Sequence, residues 1–291
     1  MYKMITIDLD GTMLNPYGEV TEYTKKVLKK AMNKGIDVVI TSGRNIDAIK
    51  GIAEEIDAQK YIIDGNGSTI YDIQNDEIIY EKFIPKSKAL DIIKICEENS
   101  IAYSVYTNKT IISRSLKFNV LYYYNKNLTK PQNKQTSITL VDDVYEYVQN
   151  MEEQKVLKVF ICDKNQSLFN AISRKVSETI DGIEILDVSH MSRKIITDGT
   201  QEIPLEYFYT EIAAEDVDKW NAIEFLIEKL GIKPEEVIAI GDNINDKKMI
   251  EKAGLGIALK GSTPKITEVA DYVTEFDNNN DGAAKAIEKY I

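Results

Sequence analysis

Three short apolar runs in this chain stop at clusters of acids, hydroxyls and glycine. That arrangement restricts the fold more than any other feature. Residues 3–8 read as a buried strand that runs into Asp8-Leu9-Asp10-Gly11-Thr12. Residues 36–41 form a second apolar run, and Thr41-Ser42-Gly43-Arg44 follows it. Residues 237–240 form a third, followed by Gly241-Asp242-Asn243-Ile244-Asn245-Asp246. Runs that are mainly apolar, rather than alternating, belong to strands covered on both faces. Helices separate them. Tyr23, Val27, Leu28 and Ala31 recur at helical spacing and Gly35 ends that helix; a second helix over roughly 45–56 leads to a short strand at 61–63. Strand–helix–strand repeats of this kind build right-handed units of a parallel sheet.

The pattern changes in the middle of the chain. Residues 69–72 and 77–83 read as a hairpin around Gln74-Asn75-Asp76. From about 84 to 213, helices near 90–98, 143–149 and 168–179 mix with strands near 102–106, 156–162, 183–188 and 205–212. The polar stretch 125–137 reads as a long loop. Tyrosine is dense here, from Tyr103 to Tyr209; sheet and helix packing is the expected role, with walls that face a ligand as the alternative. Regular alternation returns after Ala214, with a helix over 216–230 that Gly231 ends. The simplest organisation is one α/β domain split in sequence, with an α+β module inserted near 84–213.

Composition removes several classes of function. The formal net charge of −11 repels polyanions, so no nucleic acid is expected as a partner. An anionic small molecule would need local cations. The single histidine, His190, and the absence of CxxC leave no zinc site of the usual kind. Cys96 and Cys162 are expected to be buried, reduced thiols. There is no apolar run of membrane-spanning length and no signal-peptide pattern, which gives a cytoplasmic expectation and no membrane partner.

The three strand-end clusters would share one edge, where open parallel sheets bind ligands. Asp8 and Asp10, at i and i+2, can face the same way, and like charges so close call for a divalent cation or a shared proton. Asp242 and Asp246 add two acids at that edge. Oxygen ligands without sulfur or nitrogen suit magnesium, Mg2+. Asp8 to Gly11 alone would pass for a turn. Thr41-Ser42-Gly43 alone would pass for a helix cap, although its amides and hydroxyl can also hold phosphate. Lys219 and Arg44 alone would pass for surface cations.

Taken together, these clusters resemble the motifs of the haloacid dehalogenase-like hydrolase superfamily, in particular its Cof-type phosphatases. The first motif, DxDGT, stands as Asp8 to Thr12. Thr41 to Arg44 matches the second, Lys219 the third, and GDxxND stands as Gly241 to Asp246. Asn66-Gly67 matches a loop of the Cof-type members. The chain departs from them at Trp220, where relatives often carry Gly, and at Gly261, where an Asn would contact the site. The resemblance implies a Rossmann-like parallel-sheet core over 1–83 and 214–291, with an inserted α+β cap over 84–213.

It also implies a magnesium-dependent phosphatase that hydrolyses a small phosphate monoester, such as a sugar phosphate or phosphorylated cofactor. Asp8 would be the nucleophile and Asp10 the acid–base group. Asp8, Asp10, Asp242 and Asp246 would hold the metal or its water. Leu9, Thr41, Ser42, Gly43, Arg44, Lys219 and Asn245 would meet phosphate or substrate, with Asn245 orienting Lys219 as the other option. A phosphomutase and a non-catalytic phosphate-binding regulator remain open. The sequence carries no reading of oligomeric state.

Overall fold

The apolar runs set the frame. In the computed structural model, which describes residues 1–58, 60–132, 135–153, 155–185 and 190–291, the chain divides into two units: Met1–Lys82 with Val217–Ile291, and Phe83–Asp216.

The first unit opens with β1 (Met4–Ile7), α1 (Glu22–Asn33), β2 (Asp37–Thr41), α2 (Ile46–Glu55) and β3 (Tyr61–Asp64). A hairpin of β4 (Thr69–Asp72) and β5 (Glu77–Glu81) follows. Both helices begin at side-chain caps: Thr21 accepts from the Thr24 amide and Asn45 from the Ala48 amide.

The inserted unit contains α3 (Lys86–Glu98), β6 (Ala102–Thr107), β7 (Ile111–Ser113), α4 (Phe118–Asn127), β8 (Ile138–Leu140) and α5 (Val144–Asn150). It continues with β9 (Val156–Asp163), α6 (Gln166–Thr179), β10 (Ile183–Ile185), β11 (His190–Asp198) and β12 (Gln201–Ala214). The chain then returns to the first unit through α7 (Lys219–Leu230), β13 (Val237–Gly241), α8 (Lys247–Lys252), β14 (Leu255–Ala258), α9 (Pro264–Thr267), β15 (Tyr272–Val273) and α10 (Gly282–Tyr290).

The first unit's sheet has the order β15-β14-β13-β1-β2-β3-β4-β5. All pairs from β15 to β3 are parallel, and β4 and β5 are antiparallel additions. Met4 lies beside both Val237 and Asp37, so β1, β2 and β13 end level with one another. Alternate residues feed opposite cores. Ile5, Ile7, Val38, Ile40, Ile238 and Ile240 pack with residues of α1, α2 and α10. Met4, Val39, Ile63, Val237 and Ala239 pack with α7 and α8. Each fully buried Ile contributes roughly 1.5–3 kcal/mol. Both faces are therefore committed to packing, and the strand ends are left for chemistry.

The inserted unit's sheet has the order β10-β12-β9-β6-β7-β8, with β11 paired to β12. Tyr207 packs with Phe160 and Cys162, against Tyr106 and Tyr209, which is the packing role expected for these tyrosines. Three segments differ from the sequence reading. Residues 118–127 are helical, where a loop was expected from 125. β11 and β12 form one long hairpin, closed by Gly199-Thr200 between the pair Asp198↔Gln201. Of the strand expected at 183–188, residues 183–185 are β10, and 186–188 lie outside the described residues. Cys96 and Cys162 are buried and free. Among the described residues no helix is long and apolar enough to cross a membrane.

Candidate active site

β1 ends at Ile7 and delivers Asp8, itself buried, at its carboxyl end. The Asp8 amide donates to the Ile240 carbonyl at 3.0 Å, which ties it to β13. The chain then turns back, with the amides of Met13 and Leu14 donating to the Leu9 carbonyl at 3.1 and 2.9 Å. Gly11 makes the turn possible. Its φ is +88°, and a Cβ there would sit 2.5 Å from Asp242 Oδ2. Thr12 Oγ1 donates to Asp242 Oδ1 at 2.6 Å, joining the first cluster to the fourth.

β13 ends in Gly241, and a single 3₁₀ turn, Ile244–Asp246, brings Asp246 back underneath it. Asp246 is fully buried. Its Oδ2 accepts from the amides of Asp242 and Asn243, both at 3.0 Å. Its Oδ1 accepts from Lys219 Nζ at 2.6 Å, and the same ammonium donates to Asp8 Oδ1 at 2.6 Å. Lys219 is the first residue of α7, behind the cap Asp218, and its side chain is buried between the two carboxyls.

Two carboxyls thus share one ammonium, with Asp242 close by. Burial lifts Asp8 well above the usual carboxylate range; Lys219 opposes that, while Asp246 and Asp242 add to it. Asp242 is pushed up to about 6, mainly by burial, with the Thr12 hydrogen bond acting the other way. Burial works against the Lys219 charge, but Asp246 and Asp8 outweigh it and hold the ammonium firmly protonated. The cluster is short of positive charge. Asp8, Asp242 and Asp246 each offer an oxygen, all within 4.8 Å of one another. That donor set, oxygen only and net anionic, fits magnesium. Asp246 already accepts three hydrogen bonds, so Asp8 and Asp242 are the more available ligands.

The second cluster lies beside β3. The Ser42 amide donates to the Ile63 carbonyl at 2.9 Å, and Ser42 Oγ accepts from the Arg44 amide at 3.2 Å. Thr41 is turned into the core, where its hydroxyl bonds that of Thr6 at 2.6 Å. Gly43 passes close to Asn66: a Cβ would meet Asn66 Oδ1 at 2.8 Å. Arg44 Nε and one terminal nitrogen grip both oxygens of Asp10 at 2.8 and 2.6 Å. The Asp10 side chain is 62% exposed, so the pair stands at the open side of the site.

Most of the expected residues therefore converge, with contacts the sequence did not specify. Asn245 Nδ2 donates to Asn66 Oδ1 at 2.9 Å, and Lys219 is oriented by Asp246. Asn245 Oδ1 is buried without a partner. Trp220 is buried in the α7 face of the core and donates to Glu224. Gly261 has open space where a side chain would be. Thr12 and Asn66 join the site although neither was assigned a role. Their signals were the Thr that ends the first cluster and the Asn-Gly pair after β3.

A family model described as haloacid dehalogenase-like hydrolase matches residues 5–287. The phosphatase YwpJ of Bacillus subtilis (strain 168) is 29% identical, covering 97% of each chain. The 5-amino-6-(5-phospho-D-ribitylamino)uracil phosphatase YcsE of the same strain is 26% identical over 99% of this chain and 96% of its own. A solved haloacid dehalogenase-like hydrolase from B. subtilis shares the fold at a TM-score of 0.79 and 24% identity, covering 99% of this chain and 100% of that one.

Proposed function

The chain belongs to the haloacid dehalogenase-like hydrolase family, and on that footing we propose that it is a magnesium-dependent phosphatase working through an aspartyl-phosphate on Asp8. The substrate is a small phosphate monoester, a sugar phosphate or a phosphorylated cofactor. The name of the relative YcsE carries such an ester. One observation carries the reading: Asp8 stands at a strand end with Oδ1 held by Lys219 at 2.6 Å, beside Asp242 and Asp246.

Asp8 attacks phosphorus, and the bond to the leaving oxygen breaks as Asp10 gives that oxygen a proton. Water then attacks the acyl phosphate; Asp10 takes its proton, and phosphate leaves with Asp8 regenerated. Arg44 sets the direction of the Asp10 carboxyl, and one of its two bonds must yield for the proton transfer. Ser42, the amides around Leu9 and Gly43, and Lys219 stabilise the phosphoryl oxygens. Asn245, fixed by Asn66, takes its place at the rim of that pocket. Magnesium, held by Asp8 and Asp242 with Asp10 and Asp246 beside them, would screen the anionic nucleophile from the anionic ester. Recognition of the leaving group is assigned to the inserted unit, because the core clusters handle only the group that all such esters share.

A phosphate-release screen over a metabolite panel tests the reading. At least one ester should be hydrolysed with magnesium and none in EDTA, and Asp8→Asn should fall to background. Activity that survives chelation or Asp8→Asn would refute it, and phosphate transfer that needs a bisphosphate activator would make the protein a mutase.

A further inference from the structure

The Asn66-Gly67 pair takes no part in the steps of the proposed chemistry. It lies in the turn after β3. There the amides of Gly67 and Ser68 donate to the Asp64 carbonyl at 2.9 and 3.0 Å, and the Ser68 hydroxyl donates to the Gly65 carbonyl at 2.8 Å. Gly65, Asn66 and Gly67 all have positive φ, of 56°, 60° and 99°. Glycine enters that region freely, whereas a side chain is strained there, asparagine less than most. The middle position of the run keeps a side chain in spite of the strain. Such a residue calls for a use of that side chain.

Its contacts supply one. Asn66 is buried. Its backbone amide donates to the Ser42 carbonyl at 3.0 Å, and the Gly65 amide donates to the Arg44 carbonyl at 2.9 Å. Its side-chain oxygen accepts from Asn245 Nδ2 at 2.9 Å. One residue thus holds the second cluster by its backbone and the fourth by its side chain. Asn245 leans on that bond, because its own Oδ1 is buried without a partner. Gly43 leaves room for the contact. The three atoms nearest to a Cβ at 43 all belong to the Asn66 side chain: Oδ1 at 2.8 Å, with Cγ and Nδ2 at 3.2 Å. The turn itself has little freedom to drift. It is pressed against the start of α7, where a Cβ on Gly67 would lie 2.1 Å from the Asp218 carbonyl.

We propose that Asn66 is a positioning residue: it clasps Asn245 to the Ser42-Gly43-Arg44 loop, so that donors from two distant parts of the chain meet the phosphoryl group at one fixed spacing. This rests on the assignment of Asn245 and of that loop to phosphate. Asn66 acts through them and touches no substrate. Without its side chain Asn245 loses its anchor. Phosphate is then held less well in the ground state and the transition state alike, and the loss falls on KM rather than kcat.

Two double-mutant cycles test it, with magnesium present throughout. Calorimetry gives the affinity for inorganic phosphate, and p-nitrophenyl phosphate gives KM and kcat. Asn66→Gly removes the side chain and suits the left-handed backbone. Losing one neutral hydrogen bond corresponds to about a fivefold effect. Asn66→Gly should weaken phosphate binding and raise KM by about that factor, with kcat within about threefold. Asn245→Ala should lose at least as much, and the double variant no more than Asn245→Ala alone. Gly43→Ala drives its methyl group into Asn66 and should lose as much as Asn66→Gly. In the Asn66→Gly background that methyl group has room and should add no further loss. A packing role for Asn66 would lower stability and leave both cycles uncoupled. Unchanged phosphate affinity in Asn66→Gly overturns the proposal, as do losses that add in either cycle. If Asn66→Gly does not fold, Gly43→Ala and Asn245→Ala form the cycle instead. Their losses should not add, and unchanged affinity in Gly43→Ala overturns the proposal. An inactive wild type with coupled losses of phosphate affinity refutes the assigned reaction and leaves the clasp. An active wild type whose losses add refutes the clasp and leaves the reaction.

Discussion

Lys219→Met probes how far the first unit depends on charge balance inside its site. Lys219 Nζ lies 2.6 Å from both Asp8 and Asp246, and its side chain is fully buried. Methionine keeps most of the side-chain bulk and removes the charge. Two buried carboxyls are then left facing each other with no counter-ion. Breaking a buried pair in this way costs about 3–5 kcal/mol. In a unit of this size each kcal/mol moves the melting temperature by about 2–4 °C. The variant should therefore melt about 6–20 °C below wild type at pH 8. The sign of the pH dependence follows from Asp8. Its folded value already lies well above the ordinary 3.8, and losing Lys219 raises it further. A carboxyl raised by folding costs stability above its folded value, and the cost fades as pH falls toward the unfolded value. The deficit should thus be smaller at pH 5 than at pH 8. Differential scanning calorimetry of both proteins at both pH values decides it. A deficit under about 2 °C at pH 8, or one that does not shrink at pH 5, would refute the reasoning.

Two further outcomes are expected. Asp10→Asn should slow the first half-reaction, release of the leaving group in a single turnover, by about 10²–10⁴-fold for an alkyl phosphate and far less for p-nitrophenyl phosphate, because p-nitrophenolate leaves without a proton; equal single-turnover losses on both esters would deny Asp10 the acid role. Asp64 rises on folding from 3.8 to about 7, so wild type loses stability as pH climbs through that window and Asn at 64 does not; the advantage of Asp64→Asn should grow by about 4 kcal/mol between about pH 4 and pH 8, and urea unfolding showing a constant difference would contradict it.

The parallel core was legible because its strands are mainly apolar runs, and such runs are buried on both faces. The helix Phe118–Asn127 was not. It starts at Lys117 with no side-chain cap, and Phe118 has a φ of 47°, so no local start signal exists. The outer half of the β11–β12 hairpin was missed for a related reason. Most of its residues are exposed, its isoleucines do not alternate cleanly with polar residues, and Pro204 reads as a strand breaker. It is tolerated because it lies outside the stretch from Phe208 to Ile212, where β12 also pairs with β9. In the site, residue types and spacing pointed to Asp8, Asp10 and Asp242, and Lys219 came only with the family resemblance. Partner choice stayed hidden, because it depends on burial. Arg44 could have met substrate or an acid, and it holds Asp10. Asp246 was expected beside metal-bound water, and its two oxygens go to Lys219 and to backbone amides.

The contacts also answer a difficulty that the composition raises. A chain of net charge −11 must admit an anionic ester. Among the described residues, the ion pairs made by Asp8, Asp10, Asp242 and Asp246 at the sheet edge are those with Lys219 and Arg44. Neither cation stands unengaged: Lys219 lies between Asp8 and Asp246, and Arg44 holds Asp10. A phosphate drawn in by either must compete with a carboxylate at 2.6 Å, so these side chains steer and orient more than they attract. The upward shifts of Asp8 and Asp242 express the same imbalance, since protons gather where positive charge is lacking. A divalent cation on Asp8 and Asp242 would satisfy it without displacing Lys219 or Arg44. The Ser42 loop then adds neutral donors that carry no competing carboxylate. In the proposed mechanism the metal and the loop would supply the attraction, and Lys219 and Arg44 would hold Asp8 and Asp10 in place for the two halves of the reaction.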